Sequence, residues 1–275
     1  MTSLLSYILS VLKKRPLPRP SKHNLPQPRV CHLELGADAI QGRKVFVIGD
    51  VHGCYDELCE LIDKAKQREP NILCVFVGDL INKGPKSKEV LGLVQSMDCY
   101  SVRGNHDDVV LHEYYKSIGD PNYVMKDKNK WIKDLPWTDF EYLKDLPYTI
   151  SIPSLNATIV HAGLIPGWGF EGQDFTAMTH MRNIEQFYTV FHGSYPILIP
   201  SESLNVGVPW ASLWPGPDHV YFGHDAVRGL QTYPYATGLD TGCVYGKSLT
   251  GILLDGTREF ISVPSKQPDM FKNAD

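Results

Sequence analysis

Five short motifs bring together side chains of the kinds that bind metal ions. They are Gly49-Asp50-Val51-His52-Gly53, Gly78-Asp79, Gly104-Asn105-His106-Asp107, Val160-His161-Ala162-Gly163 and Gly223-His224-Asp225. Each follows a short apolar run, so Asp50, His52, Asp79, Asn105, His161 and His224 are delivered on loops at the ends of strands. Carboxylates, neutral imidazoles and a hard amide oxygen form a mixed ligand set that suits Mn, Zn, Co or Fe. Two divalent ions about 3.5 Å apart repel by roughly 20 kcal/mol even at an effective dielectric of about 20, so only closely placed anions hold such a pair. Asp79 is the natural bridging carboxylate, and Asp50 supplies a second negative charge. Two adjacent metals activate water for attack on phosphorus, so the expected chemistry is that of a binuclear metal-dependent phosphoesterase.

Taken singly, none of these motifs says much. A Gly-Asp pair is ordinarily a turn, and a lone buried histidine is ordinarily hydrogen-bonded core. Their number, order and shared strand-end setting argue for a site. His23, His32, His112, His180, His192 and His219 lack that setting and read as surface or loop residues.

The elements that must position the ligands follow from periodicity. Val45-Phe46-Val47-Ile48 is a buried strand run, and Leu58, Leu61, Ile62 and Ala65 then repeat at helix spacing. Ile72-Leu73-Cys74-Val75-Phe76-Val77 is a second strand, followed by a helix around Val90, Leu91 and Val94. Tyr100-Ser101-Val102 is a third, ending at Arg103-Gly104-Asn105-His106. Strands alternating with helices predict an α/β domain with a largely parallel sheet, whose ligands gather beyond the carboxyl ends of the strands. Residues 119–146 read as helical. Residues 148–153, 157–160, 219–222, 248–254 and 259–263 read as strands, and residues 167–217 as an irregular substrate-side lobe. One domain over residues 43–265 is expected, between a basic Pro-rich tail at 1–42 and a short C-terminal tail at 266–275.

Composition is that of a folded soluble chain, with 43% hydrophobic and 21% charged residues. The formal net charge of −4 hides an asymmetry, because Lys13, Lys14, Arg15, Arg19, Lys22 and Arg29 precede the first acid, Glu34. Without them 21 basic residues face 31 acidic ones, so any attraction for phosphate must be local rather than a property of the whole field. No sequence-specific nucleic-acid motif is present. Six cysteines without CxxC spacing fit a reducing compartment, and a cytoplasmic protein is expected. Leu4, Leu5, Ile8, Leu9 and Leu12 share one helical face, which leaves open a mitochondrial-type presequence, weak contact of residues 1–33 with a membrane surface, or a plain frayed tail. Oligomeric state is not readable.

The motif series Gly-Asp-x-His-Gly, Gly-Asp-x-x-x-x-Gly-Pro, Gly-Asn-His-Asp, His-Ala-Gly, Gly-His resembles the calcineurin-like metallophosphoesterases, in their phosphoprotein-phosphatase branch. Residues 161–168 and 239–246 look like bacterial diadenosine tetraphosphate hydrolase (ApaH). Asn82-Lys83-Gly84-Pro85 and Gly223-His224-Asp225-Ala226 look like the eukaryotic ApaH-like phosphatases. The resemblance covers about residues 43 to 263 and implies a β-sandwich with flanking helices and an active site on strand-end loops. It implies that Asp50 and His52 hold one metal, that Asp79 bridges, and that Asn105, His161 and His224 hold the second. His106 becomes the general acid for the leaving oxygen, Arg103 a clamp on phosphate oxygens, and Arg182 a second clamp.

Protein phosphatases of this branch carry Asp-Arg where this chain has Asn82-Lys83. Asn82 is expected to orient His106 through its amide oxygen without offsetting an imidazolium charge, and Lys83 offers a point charge rather than a bidentate fork. Both departures favour a phosphoanhydride over a phosphoprotein. The expected substrates are dinucleoside polyphosphates, capped nucleotides or inorganic polyphosphate; protein Ser/Thr dephosphorylation and non-catalytic binding of a phosphorylated ligand are the competing functions.

Overall fold

The computed structural model describes residues 21–188, 196–254 and 256–269. The amphipathic stretch at residues 4–12 lies outside them. Along the chain β1 (His32–Glu34) and α1 (Ala37–Ile40) lead into β2 (Lys44–Ile48), α2 (Tyr55–Arg68), β3 (Ile72–Phe76), α3 (Ser87–Ser96), β4 (Cys99–Ser101) and α4 (Asn105–Gly119). Then come α5 (Trp137–Asp145), β5 (Thr149–Ile152), β6 (Ala157–Val160), α6 (Phe175–His180), β7 (Asn183–Phe187), β8 (Ile197–Ser201) and β9 (Val208–Pro209). The chain closes with β10 (His219–Phe222), β11 (Gln231–Tyr233), β12 (Ala236–Gly238), β13 (Ser248–Leu254) and β14 (Glu259–Pro264).

Two sheets stack face to face. One runs β1-β5-β6-β10-β12-β11 and the other β14-β13-β2-β3-β4. Successive side chains of a strand point to opposite faces, and the sequence of β2 and β3 uses both. Val45, Val47, Leu73 and Val75 enter the layer between the sheets with Ile150, Ile159 and Tyr221. Phe46, Ile48, Cys74 and Phe76 pack outward against Leu58, Leu61 and Ile62 of α2 and Val90, Leu91 and Val94 of α3. Burial on both faces explains why these strands read as continuous apolar runs instead of alternating ones. A third cluster, with Trp210, Phe175 and Met178, seats the lobe on the outer face of the six-stranded sheet through Val160, Val220 and Phe222.

Pairing sets where the loops emerge. β2, β3 and β4 are mutually parallel, as are β6, β10 and β12. Three parallel strand ends from each sheet therefore open at one end of the sandwich. The lobe at residues 167–217, expected to be irregular, contains α6 and a small antiparallel sheet of β8-β7-β9.

The fold takes in more of the N-terminal region than the tail boundary at residue 42 allowed. β1 pairs in parallel with β5, and Leu25, Leu35 and Ile40 are buried. Two of the tail cations are held in ion pairs, Lys22 with Glu202 and Arg29 with Asp145. The six cysteines are unpaired. No helix among the described residues is long and apolar enough to cross a membrane.

Candidate metal centre

The end of β2 carries Asp50 and His52, the end of β3 carries Asp79, Asn82 and Lys83, and the end of β4 leads into Asn105 and His106 at the start of α4. From the other sheet β6 delivers His161 and β10 delivers His224. The loops are stitched to one another by backbone bonds. Val51 and His52 N–H donate to the Asp79 carbonyl, Gly53 N–H to Leu80, Gly84 N–H to His52, and Gly223 N–H to His161. Asp107 is completely buried and accepts from the Asp79 and Gly104 N–H through one oxygen and from Leu80 N–H through the other. It ties the β3 loop to the start of α4 and so fixes Asp79 against Asn105.

Local backbone rules are broken at this end of the molecule. His52, Asp79, Asn82, Lys83 and His224 have φ of 49°, 50°, 75°, 72° and 70°, a region non-glycine residues seldom occupy. Each such residue costs about 1–3 kcal/mol, which the stitched loops must offset. Two glycines are needed for a different reason. A side chain on Gly104 would strike the Asp79 carboxylate, and one on Gly223 would strike that of Asp50.

Six of the predicted residues meet as a ligand set. His161 Nδ1 donates to the Val77 carbonyl at 2.9 Å, which leaves the Nε2 lone pair facing Asn105 Oδ1 at 2.9 Å. His224 Nε2 donates to the His180 carbonyl at 3.0 Å, which leaves Nδ1 facing the same oxygen at 2.9 Å. Three acceptors thus converge with no proton between them. Burial pushes His161 down to about 3 and holds His224 well below the usual histidine range, so protonation does not supply one near neutral pH. A cation does.

The other half is built from charge. His52 turns Nδ1 toward the Ile81 carbonyl at 3.4 Å. Its Nε2 lies 3.4 Å from Asp79 Oδ2 and 4.0 Å from Asp50 Oδ2. Asp79 Oδ1 lies 3.6 Å from His161 Nε2, so this carboxylate presents one oxygen to each half. Asp50, whose oxygens accept the His224 N–H, also faces Asp240. Burial, reinforced by Asp240 and Asp79, pushes the Asp50 carboxyl well above the usual range. Burial likewise raises Asp79 to about 7 and Asp240 to about 6. Three buried carboxylates crowded in this way call for positive charge, which Lys83 supplies in part, its Nζ 3.1 Å from His52 Nε2. The donor set fits two divalent cations, one among Asn105, His161 and His224, the other among Asp50 and His52, with Asp79 between them.

Over this floor lies a cleft of about 350 Å³ lined by Lys83, His106, Arg182, Ala226, Val227 and Tyr245, with Lys83 Nζ 5.2 Å from the centre of the Tyr245 ring. Arg182 hydrogen-bonds the Glu202 and His224 carbonyls. A larger groove of about 530 Å³ beside Lys64, Arg68 and Phe260 holds none of the site residues.

Two expectations are corrected. Arg103 does not reach the cleft. It is wholly buried, pairs through Nε with Asp108 at 3.0 Å, donates to Tyr148 Oη and the Lys144 carbonyl, and stacks on the Tyr148 ring. Its guanidinium holds the loop to the core and lines no part of the cleft. Lys83 and Arg182 are the cleft cations. The second correction concerns Asn82, whose Oδ1 accepts the Lys83 N–H at 2.9 Å and whose Nδ2 therefore faces His106 Nδ1 at 3.3 Å. The amide thus donates to His106 instead of accepting from it, which selects a neutral ring with its proton on Nε2. Burial, then the Lys83 charge, takes His106 down to about 3.

Asp240 and Asp107 were not assigned roles from the sequence. Asp240 follows β12 as Leu239-Asp240-Thr241-Gly242, the same strand-end setting as the candidate ligands, and it faces Asp50. His180 and His219, taken for surface or loop residues, are buried. His180 supplies the carbonyl that sets the His224 tautomer.

The family model for the calcineurin-like phosphoesterases matches residues 43–246. A bis(5'-nucleosyl)-tetraphosphatase PrpE (asymmetrical) of Halalkalibacterium halodurans is 32% identical over 258 residues, covering 82% of this chain and 97% of the relative. A symmetrical bis(5'-nucleosyl)-tetraphosphatase of Coxiella burnetii is 30% identical, covering 83% and 94%. A crystal structure described as that of a candidate diadenosine tetraphosphatase superposes with a TM-score of 0.75 at 36% identity, covering 87% of this chain and all of the other. This chain belongs to the calcineurin-like phosphoesterase family.

Proposed function

We propose that this protein is a binuclear metal-dependent hydrolase of phosphoanhydride bonds, with dinucleoside polyphosphates as its substrate class. The observation that carries the reading is the convergence of unprotonated ligands on both sides of Asp79 beneath a cleft lined by Lys83 and Arg182. The tetraphosphatase relatives support the choice of substrate. Divalent ions held by Asp50, His52, Asp79, Asn105, His161 and His224 would supply positive charge for the phosphoryl group and lower the pKa of water toward about 7.

The chain's own residues do the rest. Lys83 and Arg182, both lining the cleft, attract and orient the phosphate chain. His106 offers its Nε2 proton as a hydrogen bond to the departing oxygen. A neutral ring is a weak acid, but a phosphate leaving group, with a second pKa of about 6, carries its charge without full protonation. A serine alkoxide would demand more. That difference favours anhydrides over phosphoproteins and follows from the amide orientation of Asn82.

We place the enzyme in a reducing compartment, in keeping with its unpaired cysteines. Purified protein with Mn²⁺, Co²⁺ or Zn²⁺ should cleave diadenosine tetraphosphate and inorganic polyphosphate faster than a phosphoserine peptide. Phosphopeptide preference would point to a protein phosphatase, and tight substrate binding without turnover to a binding protein.

A further inference from the structure

A second group of metal-binding side chains meets behind the cleft loops, and the reaction makes no use of it. Cys54 caps the start of α2, Cys243 opens the turn at residues 243–245, and Glu57 lies one turn into α2. All three are buried, Glu57 completely. One sulfur from each cysteine and one carboxylate oxygen lie within 4.8 Å of one another. Glu57 Oε1 accepts the Lys266 N–H at 2.8 Å and the Gln267 side-chain amide at 2.9 Å. Its Oε2 is shut off from solvent and has no hydrogen-bond partner among the described residues. A carboxylate oxygen in that position is costly unless a cation or a proton satisfies it.

We propose that Cys54, Cys243 and Glu57 form a site for a thiophilic divalent cation, Zn²⁺ above all, separate from the cleft. Bonds of about 2.3 Å to sulfur and about 2.1 Å to oxygen span the observed separation with little side-chain movement. Binding releases the two thiol protons to solvent, and the cation is then held by two thiolates and one carboxylate with a net charge of about −1. The donors on Oε1 hold the carboxylate in place, as outer partners of metal ligands do. The Ser265 hydroxyl, which donates to the Cys243 carbonyl, is at hand for a fourth position. Such an ion would pin the helix that starts three residues after His52 to the turn that starts three residues after Asp240. It would brace two of the loops that build the cleft without touching substrate.

Cobalt tells the two kinds of site apart, because the cleft ligands contain no sulfur. The full chain is produced in cobalt-supplemented medium, its cobalt content is measured, and its near-ultraviolet absorption is recorded. The expected result is a sulfur-to-cobalt charge-transfer band that Cys243→Ser abolishes with loss of one cobalt per chain, while the visible absorption of cobalt in the cleft persists. Asp79→Asn should do the reverse and leave the sulfur band intact. Should Cys243→Ser fail to fold, Glu57→Gln tests the same point by shifting or weakening the band. A cobalt-loaded cleft with no sulfur band would overturn the proposal and mean that a thiol S–H satisfies Glu57. A Cys54–Cys243 disulfide found by mass spectrometry of the native protein would overturn it as well.

Discussion

The two halves of the cleft floor meet the same demand with different chemistry. Around Asn105, His161 and His224 the ligands are neutral, and each ring is locked by a backbone carbonyl, Val77 for one and His180 for the other. Around His52 the ligands are charged, with Asp50, Asp79 and Asp240 held in a buried cluster against Lys83. The first half is limited by geometry, because a neutral donor binds only when its lone pair is aimed. The second is limited by charge, because its carboxylates repel one another until a cation arrives. Asp79 is the hinge of the comparison, with one oxygen in each half.

The largest effect should come from the residue both halves share. Asp79→Asn is expected to lower turnover of diadenosine tetraphosphate by about 10³-fold, roughly 4 kcal/mol of barrier, with the fold retained. Steady-state kinetics and circular dichroism check both parts. A loss under tenfold would mean that the halves do not depend on a common carboxylate.

Next come the arginines, which separate support of the floor from contact with substrate. Arg103→Ala breaks a fully buried ion pair with Asp108 and should cost about 3–5 kcal/mol of stability in denaturant unfolding. The KM of the folded fraction should stay unchanged. Arg182→Ala should leave stability nearly unaltered and raise KM about tenfold, equal to about 1.4 kcal/mol of binding. Exchanged outcomes would restore Arg103 to the cleft.

Asn82→Asp sharpens the comparison from the acid side. An aspartate there accepts from His106 Nδ1–H and stabilises the imidazolium, so phosphopeptide turnover relative to anhydride turnover should rise about tenfold. An unchanged ratio would show that the amide orientation does not govern the leaving group.

The smallest effect is a pH dependence confined to the charged half. In metal-stripped protein Asp79 is raised from 3.8 to about 7 by burial. The folded state therefore binds more protons than the unfolded state between those values, and stability falls as pH rises through about 7. The lowered histidines act in the opposite sense as pH rises through their ordinary value of 6.5, so Asp79→Asn is needed to isolate the carboxylate's share. From pH 6.5 to 8 the melting temperature of the metal-stripped wild type should fall by a few degrees relative to that of Asp79→Asn, and saturating Mn²⁺ should flatten the slope. A rise relative to Asp79→Asn over that interval would contradict the carboxylate cluster.

Much of this floor could be read from the sequence because each ligand follows an apolar strand with a glycine within two positions, a local pattern with a local cause. Asn105 and His161 needed no knowledge of tertiary structure to be named. Arg103 shows where such reading stops, for adjacency to Gly104-Asn105 says nothing about which way its side chain turns at the strand end. Tyr148, brought from forty-five residues away, and Asp108, whose facing depends on how α4 starts, decide that. The Asn82 amide is a similar case, since its orientation depends on a bond to the next residue's own N–H. β1 escaped notice because three residues carry no periodicity and their partners lie more than a hundred positions away. The small sheet of the lobe escaped because it buries few apolar side chains, with Phe187, Ile197 and Ile199 left exposed.

The account rests on two cations joined through Asp79, and anomalous diffraction at the manganese edge from Mn²⁺-loaded crystals tests it most directly. The expected map holds one peak among Asn105, His161 and His224 and a second beside Asp50 and His52, each within bonding distance of an Asp79 oxygen. A single peak in the cleft, or two peaks that leave Asp79 uncoordinated, would contradict it.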